Sequence, residues 1–231
     1  MQPIKARELL KAVPGELISG DLDTKITGVS TDTRTIQEGD LFFALMGASS
    51  DGHKFLADAL MKGASGVVVS RKVEARVFAL RVEDTLAALG QLAAYYRSKF
   101  NPTVIGVTGS VGKTTTKEMI AAVCAARGPV LKNEGNFNNE IGLPLTLLNL
   151  ASRHKTAVVE MAMRGRDQIS YLAKIANPSI GVITNIHMSH IELLGSMDAI
   201  ADAKGELLDF LPRDGAAVLN ADDSYFEYLK R

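Results

Sequence analysis

The 231-residue chain carries 26 Lys and Arg against 26 Asp and Glu, with one Cys, no Trp and 46% hydrophobic residues. That length accommodates one large domain or two small ones around a core that needs no disulfide staples; the lone Cys124 excludes a disulfide-framed secreted scaffold and fits a reducing cytosol. Zero net charge argues against a broad basic face for nucleic acid or anionic lipid, no apolar run reaches the about 18 residues of a membrane span, and the start MQPIKARELLKAV lacks a secretory apolar region. A soluble, intracellular α/β protein is expected.

In chain order, a first block runs to about Val82. It opens its readable part with the apolar run Leu41–Leu45, followed by a Gly/Ser/Asp stretch from Gly47 to Gly52. Phe55, Leu56, Ala59 and Leu60 recur at helical spacing, Gly63 stops that helix, and Val67–Val69 reads as a buried strand. Such a strand–helix–strand unit implies parallel pairing. A short strand over Val77–Val82 closes the block. A helix from Asp84 to about Lys99 then leads into a second block and ends before Asn101-Pro102.

The second block alternates: strand Val104–Val107, helix Thr114–Ala126, strand Ala157–Val159, helix Gln168–Ile175, strand Ile180–Thr184, helix Met197–Phe210 and strand Ala216–Leu219. Helices between apolar strands predict a mostly parallel sheet covered on both faces. Cys124 is expected in the core of its helix, on a face shared with Met119, Ile120 and Val123. The chain closes on Tyr-Leu-Lys-Arg soon after a strand, so the open sheet is expected to be cut short.

The segment Val104-Ile-Gly-Val-Thr108-Gly109-Ser110-Val111-Gly112-Lys113-Thr114-Thr115 runs from a β-branched strand through a glycine-bearing turn into a helix. Such a turn lets backbone N–H groups converge on phosphate, aided by the helix N-terminus. Lys113 would reach the β- and γ-phosphates and the Thr114 hydroxyl would hold Mg2+. The strict GxxxxGK[ST] pattern needs a glycine where this chain has Val107; Gly106 and Gly109 flank that position. Glu160, at the end of the strand Ala157–Val159, lies on the side of an open sheet where ligands bind and is a candidate Mg2+ ligand. His190 follows the next strand; it would bind a second Mg2+ or orient its water, or else serve as an ordinary loop histidine.

No Asn-Lys-x-Asp guanine motif occurs. Thr108–Thr114, the stretch Glu134-Gly-Asn-Phe-Asn-Asn-Glu-Ile-Gly-Leu-Pro144, then Glu160, His190 and Lys204 together resemble the ATP-dependent Mur ligases of peptidoglycan synthesis. The Asn-Asn-x-Ile-Gly-x-Pro stretch is most similar to the branch that adds D-alanyl-D-alanine to UDP-MurNAc-tripeptide. Ser30-Thr-Asp-Thr-Arg34, Gly39-Asp-Leu-Phe42 and Asp51-Gly-His53 resemble the UDP-sugar-binding domain of the same enzymes. The resemblance implies a small N-terminal α/β UDP-substrate domain over 1–83, followed over 84–231 by an incomplete P-loop ATPase domain with a mostly parallel sheet. On the same resemblance, a third, C-terminal domain of the family is expected to lie outside this sequence.

It also implies ATP and Mg2+ as cofactors, a cytoplasmic monomer, and neither nucleic acid nor membrane insertion. Thr108, Gly109, Ser110, Val111, Gly112, Lys113, Thr114 and Asn139 are then expected around the nucleotide. Thr114, Glu160, His190 and Lys204 are expected around metal, Lys204 as a carbamate rather than a solvated lysine paired with Asp202 or Glu206. Lys113, Glu160, His190 and Lys204 form the catalytic set. Asn136 and Asn138 are expected near substrate, as are Ser30, Thr31, Asp32 and Arg34 near the UDP moiety, with Gly47, Asp51, Gly52 and His53 on a loop opposite. Asp32 and Arg34 would equally suit a structural ion pair. The alternatives are a Mur-type ligase adding a single amino acid to UDP-MurNAc-dipeptide, a non-catalytic nucleotide-binding module, and a folylpolyglutamate or cyanophycin synthetase. A first block built like a UDP-sugar domain speaks against the last pair.

Overall fold

The computed structural model describes residues 1–47, 50–189 and 191–230. The chain divides into two compact units, Met1–Tyr96 with Leu148–Ala151, and Arg97–Leu147 with Ser152–Arg231. Both are mixed α/β with mostly parallel sheets, as the alternation of apolar runs and helical spacings predicts.

The first unit contains β1 (Ile4–Lys5), α1 (Ala6–Ala12), β2 (Glu16–Ser19), β3 (Lys25–Ile26), β4 (Gly28–Ser30), β5 (Asp40–Phe43), α2 (Leu56–Met61), β6 (Gly66–Val69), β7 (Phe78–Arg81) and most of α3 (Thr85–Ser98). Its five-stranded sheet has the order β2-β7-β6-β5-β4. Strands β4 to β7 pair in parallel, and β2 runs antiparallel on the edge. All four residues of β5 and of β6 are buried, as befits parallel strands covered on both faces. Phe42, Val67, Val69 and Ala79 pack with Ala59, Leu56 and Leu60 of α2. The helix expected from Phe55 begins one residue later, because Gly52–Phe55 forms a 3-10 turn that the Asp51 side chain caps by accepting from the His53 N–H. The helix expected to bridge the two blocks belongs to the first unit as far as Tyr96.

Tyr96 explains why a short later segment returns to this unit. Its ring is fully buried, its hydroxyl donates to the Leu150 carbonyl at 2.9 Å, and its oxygen accepts from the Gln2 N–H at 2.7 Å.

The second unit contains β8 (Thr103–Thr108), α4 (Lys113–Ala125), β9 (Val130–Lys132), α5 (Gly142–Leu147), β10 (Thr156–Glu160), α6 (Gln168–Ala176), β11 (Ile180–Ile183), α7 (Ile191–Leu194), α8 (Met197–Gly205), β12 (Ala216–Leu219) and α9 (Phe226–Leu229). Its sheet has the order β12-β11-β8-β10-β9, with every pair parallel. The first strand of this unit therefore sits at the centre, and the chain switches sides of it between β10 and β11. In open α/β sheets such a switch opens a crevice at the carboxyl ends of the strands.

Two local expectations are corrected. The helix predicted over Met197–Phe210 ends at Gly205 and continues as a 3-10 turn over Leu208–Phe210. The break lets Leu207 pack fully buried against Gly106 and Gly181, which face each other across β8 and β11 and leave room for it by having no side chain. Gly106 is thus a packing position in the strand. On α4, Met119 and Val123 are exposed, 65% and 74%; the inward stripe is Lys117, Ile120, Ala121 and Cys124, spaced three or four residues apart.

Tyr96→Phe removes the hydroxyl that joins Gln2 to Leu150. It is expected to lower unfolding free energy by about 1–3 kcal/mol, since the carbonyl of buried Leu150 loses its hydroxyl donor. Urea titration checks this, and wild-type stability in the variant would refute the bridge.

Candidate functional site

The turn after β8 has the strand–loop–helix form read from the sequence. Gly109 takes φ +140°, and a Cβ there would meet the Thr184 hydroxyl oxygen at 2.0 Å, so only glycine fits. Gly112 caps α4 in the left-handed region at φ +79°. One flank of the loop is pinned by the segment after β11. The Ser110 N–H donates to the Asn185 carbonyl at 3.0 Å, and the Thr184 hydroxyl donates to the Val111 carbonyl at 2.6 Å. The Asn185 side chain grips the same residue twice: its Oδ1 accepts from the Val111 N–H at 3.0 Å and its Nδ2 donates to the Val111 carbonyl at 3.1 Å. The Ser110 hydroxyl oxygen accepts from the His187 N–H and from the Ser189 hydroxyl. Thr108 is buried, and its hydroxyl ties the end of β8 to the Met161 carbonyl at 2.9 Å.

Lys113 folds back over this loop. Its Nζ donates to the carbonyls of Gly109 at 2.8 Å and Ser110 at 3.1 Å. Burial lowers its pKa, opposed by the nearby charge of Glu160. The Thr114 hydroxyl donates to Glu160 Oε2 at 2.8 Å, and Asn138 Nδ2 donates to Oε1 at 2.7 Å. Glu160 is only 2% exposed, and both of those donors are neutral. A buried carboxylate satisfied by neutral groups, beside a hydroxyl, is a hard oxygen donor set suited to Mg2+.

The sequence reading missed the residue that aims Glu160. Asn133, 1% exposed, accepts from the Glu160 N–H at 2.9 Å and donates to the Glu160 carbonyl at 3.0 Å and the Phe137 carbonyl at 2.9 Å. Lys117 in turn donates to the Asn133 carbonyl at 2.6 Å. A lysine on a helix facing an asparagine just past a strand carries no local signature; only the pairing of β9 with β10 brings them together.

Lys204 is neither solvated nor paired with Asp202 or Glu206. It is 2% exposed. Asp202 accepts from the Tyr228 hydroxyl at 2.6 Å, and Glu206 accepts from the N–H groups of Asp167 at 2.7 Å and Ser170 at 2.9 Å. Burial first, and then the charge of Lys113, push the Lys204 ammonium down to a pKa of about 8. Asn139 caps α5, its Oδ1 accepting from the N–H groups of Ile141 and Gly142, while Asn136 is exposed in the turn before it. His190 lies outside the described residues.

In the first unit, Asp32 and Arg34 do form an ion pair, with Nη2 to Oδ2 at 2.6 Å, and it holds the Asp32 carboxyl down at about 2. Ser30 is buried beside them; its hydroxyl donates to the Asp32 carbonyl and accepts from the Asp32 N–H, with Thr31 between the two. His53 is also buried: its Nε2 accepts from the Ser70 N–H at 3.0 Å, so Nδ1 carries the proton toward Asp51 Oδ1 at 2.7 Å. Gly47 and Gly52 bracket the turn, the Gly47 N–H donating to Ser50 and the Gly52 N–H to Leu45.

Residues 107–231 match the Mur ligase middle domain, and residues 25–97 match the model described as Mur ligase family, catalytic domain. The chain belongs to the Mur ligase family. It is 54% identical over 205 residues to the UDP-N-acetylmuramoyl-tripeptide--D-alanyl-D-alanine ligase of Synechocystis sp., a match covering 87% of this chain and 45% of the relative. To the ligase of the same name from Escherichia coli it is 37% identical over 224 residues, 97% of this chain and 49% of the relative. The crystal structure of MurF from Acinetobacter baumannii superposes with a TM-score of 0.93 at 35% identity, covering 99% of this chain and 51% of that one. The MurF ligase of Thermotoga maritima in complex with ADP gives 0.81 at 35% identity, covering 87% and 47%. The chain thus spans about half the length of the curated relatives it matches.

Lys204 generates a pH prediction. Its folded pKa of about 8 lies below the ordinary 10.5. Below pH 8 both folded and unfolded chains carry the proton and the folded state bears the full cost of the buried charge. Stability rises from pH 8 to 10.5, where only the unfolded chain still binds it. In CO2-free buffer Lys204→Met is expected to stabilise the chain by about 1–3 kcal/mol at pH 7 and to flatten that rise. Urea unfolding at stepped pH reads both, and an unaltered slope would refute the buried ammonium.

Proposed function

We propose that the chain supplies the UDP-substrate and nucleotide portions of an ATP-dependent, ADP-forming ligase of the cytoplasm. That ligase joins D-alanyl-D-alanine to UDP-MurNAc-tripeptide in peptidoglycan synthesis and works as a monomer. The observation that carries this reading is the Thr114–Glu160 hydrogen bond beside Lys113 at the start of α4. It sits in a chain whose relatives share that named activity.

A carboxylate acylates poorly because oxide is a hopeless leaving group. The tripeptide carboxylate oxygen takes the γ-phosphoryl group of ATP, and ADP leaves. The D-alanyl-D-alanine amine then attacks the carbonyl carbon of the acyl phosphate. The C–O bond to phosphate breaks with its electron pair, the amine loses a proton, and an amide results. Two anions must meet for the first step, so the chain's task is to concentrate positive charge and hold geometry.

Lys113 exchanges the loop carbonyls for the β- and γ-phosphate oxygens, and the first N–H groups of the 13-residue α4 face the same anion. Thr114 and Glu160 would hold Mg2+, which would supply positive charge against that of the phosphates. Asn138 keeps Glu160 turned toward Thr114. Lys204 reacts as its neutral amine with CO2: an N–C bond forms, one N–H proton leaves, and a carbamate replaces a cation. The depressed pKa supports this step, because it raises the neutral fraction at physiological pH. That carbamate and His190 would hold a second metal ion. Asn139 lies toward the nucleotide, and Asn136 and Asn138 toward the substrate. Ser30, Thr31, Asp32 and Arg34, with Gly47, Asp51, Gly52 and His53, form the UDP site of the first unit.

The test uses the protein extended to the length of its relatives. Phosphate release from ATP should require both UDP-MurNAc-tripeptide and D-alanyl-D-alanine, and Lys113→Ala and Glu160→Ala should each lower kcat about 100-fold or more. ATP binding without turnover on that substrate pair would favour a nucleotide-binding module. Turnover with a single amino acid and UDP-MurNAc-dipeptide would assign the chain to another Mur branch.

A further inference from the structure

Lys117 lies one helical turn beyond Lys113 on α4, and its side chain is 1% exposed. Lysine is rarely buried to that degree unless its ammonium is fully engaged. Here Nζ donates to the Asn133 carbonyl at 2.6 Å and lies 3.1 Å from Glu118 Oε1, and Glu118 also pairs with Lys132. The Asn133 carbonyl comes directly after β9 ends at Lys132, beyond the last residue paired with β10. It is an interior acceptor that the sheet does not satisfy. The Asn133 side chain meanwhile runs alongside Glu160 as a strand would, accepting from its N–H and donating to its carbonyl.

These contacts close a circuit. Lys117 of α4 holds Asn133, Asn133 holds the backbone of Glu160, and the Glu160 carboxylate accepts from Thr114 of the same helix, three residues before Lys117. The Glu160 carboxylate is fixed from both ends, through its own peptide group and through its oxygens. An apolar side chain of similar length would fill the space of Lys117 without burying a charge, but it would leave the Asn133 carbonyl unpartnered and the circuit open.

We propose that Lys117 is a positioning residue that acts through Asn133 to set the placement of Glu160 for the divalent cation accompanying the nucleotide. This rests on the reading of Thr114 and Glu160 as the Mg2+ site. It assigns Lys117 no contact with nucleotide or metal.

The test is calorimetric titration of the 231-residue chain with ADP across a series of Mg2+ concentrations. In Lys117→Met the half-saturating Mg2+ concentration should rise about tenfold, the size expected when an outer partner of a metal ligand is lost. ADP affinity at saturating Mg2+ should stay within about twofold of wild type. Asn133→Ser should show the same split and decides the matter if Lys117→Met fails to fold. Lys132→Met, which loosens Glu118 but leaves the circuit closed, should titrate as wild type. Unchanged Mg2+ dependence in folded Lys117→Met and Asn133→Ser would overturn the positioning role alone. A uniform loss of ADP affinity at every Mg2+ concentration would overturn it in favour of general scaffolding. If wild type binds ADP with no Mg2+ dependence, the functional reading falls, and this inference with it.

Discussion

The second unit is organised around one buried carboxylate. Glu160 ends the strand next to the central one, and its charge lies where water scarcely reaches. An ionised carboxyl in such a place demands donors. Thr114 and Asn138 supply them at the oxygens, and Asn133 supplies them along the backbone. Each of those residues is then itself constrained: Thr114 by the first turn of α4, Asn138 by the turn that precedes α5, Asn133 by Lys117. The glycine loop sits at the meeting point of these constraints, and Thr184 and Asn185 fix its other flank. The polar side chains named here serve two requirements: give the buried acid hydrogen-bond donors, and hold the loop in place.

How much of this was legible in the sequence follows from how local each interaction is. The strands β8, β10, β11 and β12 are runs of β-branched and small apolar residues, and they emerge close to their read positions. The loop and Lys113 announce themselves because phosphate chemistry needs glycine and lysine at fixed spacing along the chain. Glu160 is legible as an acid ending an apolar strand. The three-residue β9 and the two-residue β1 and β3 are too short to show a period. On α4 Ile120 and Cys124 of the predicted face do pack inward, but Met119 and Val123 are exposed, because the inward stripe runs through a lysine instead. A charge placed inside by a carbonyl 16 residues away leaves no mark on hydrophobic periodicity.

Lys204 shows the same limit from the opposite direction. Asp202 and Glu206 lie two residues to either side of it, near in sequence but not at the three- or four-residue spacing that brings helix side chains together. In the folded chain, however, Glu206 caps the start of α6 and Asp202 accepts from Tyr228 near the chain end. Local charge pattern offered partners that tertiary structure had already committed. Burial, and then the positive field of Lys113, drive the Lys204 pKa down.

The two lysines expose a tension that a nucleotide would relieve. Lys113 and Lys204 repel, both are desolvated, and burial pushes both toward the neutral form. Stability alone would disfavour such an arrangement, since like charges in a low-dielectric pocket raise the energy of the folded chain. A polyphosphate entering the loop would reverse the sign of the field at Lys113, and a carbamate at Lys204 would reverse it at the second position. Each lysine thus sits where a neighbouring negative charge would lower the energy of the folded chain.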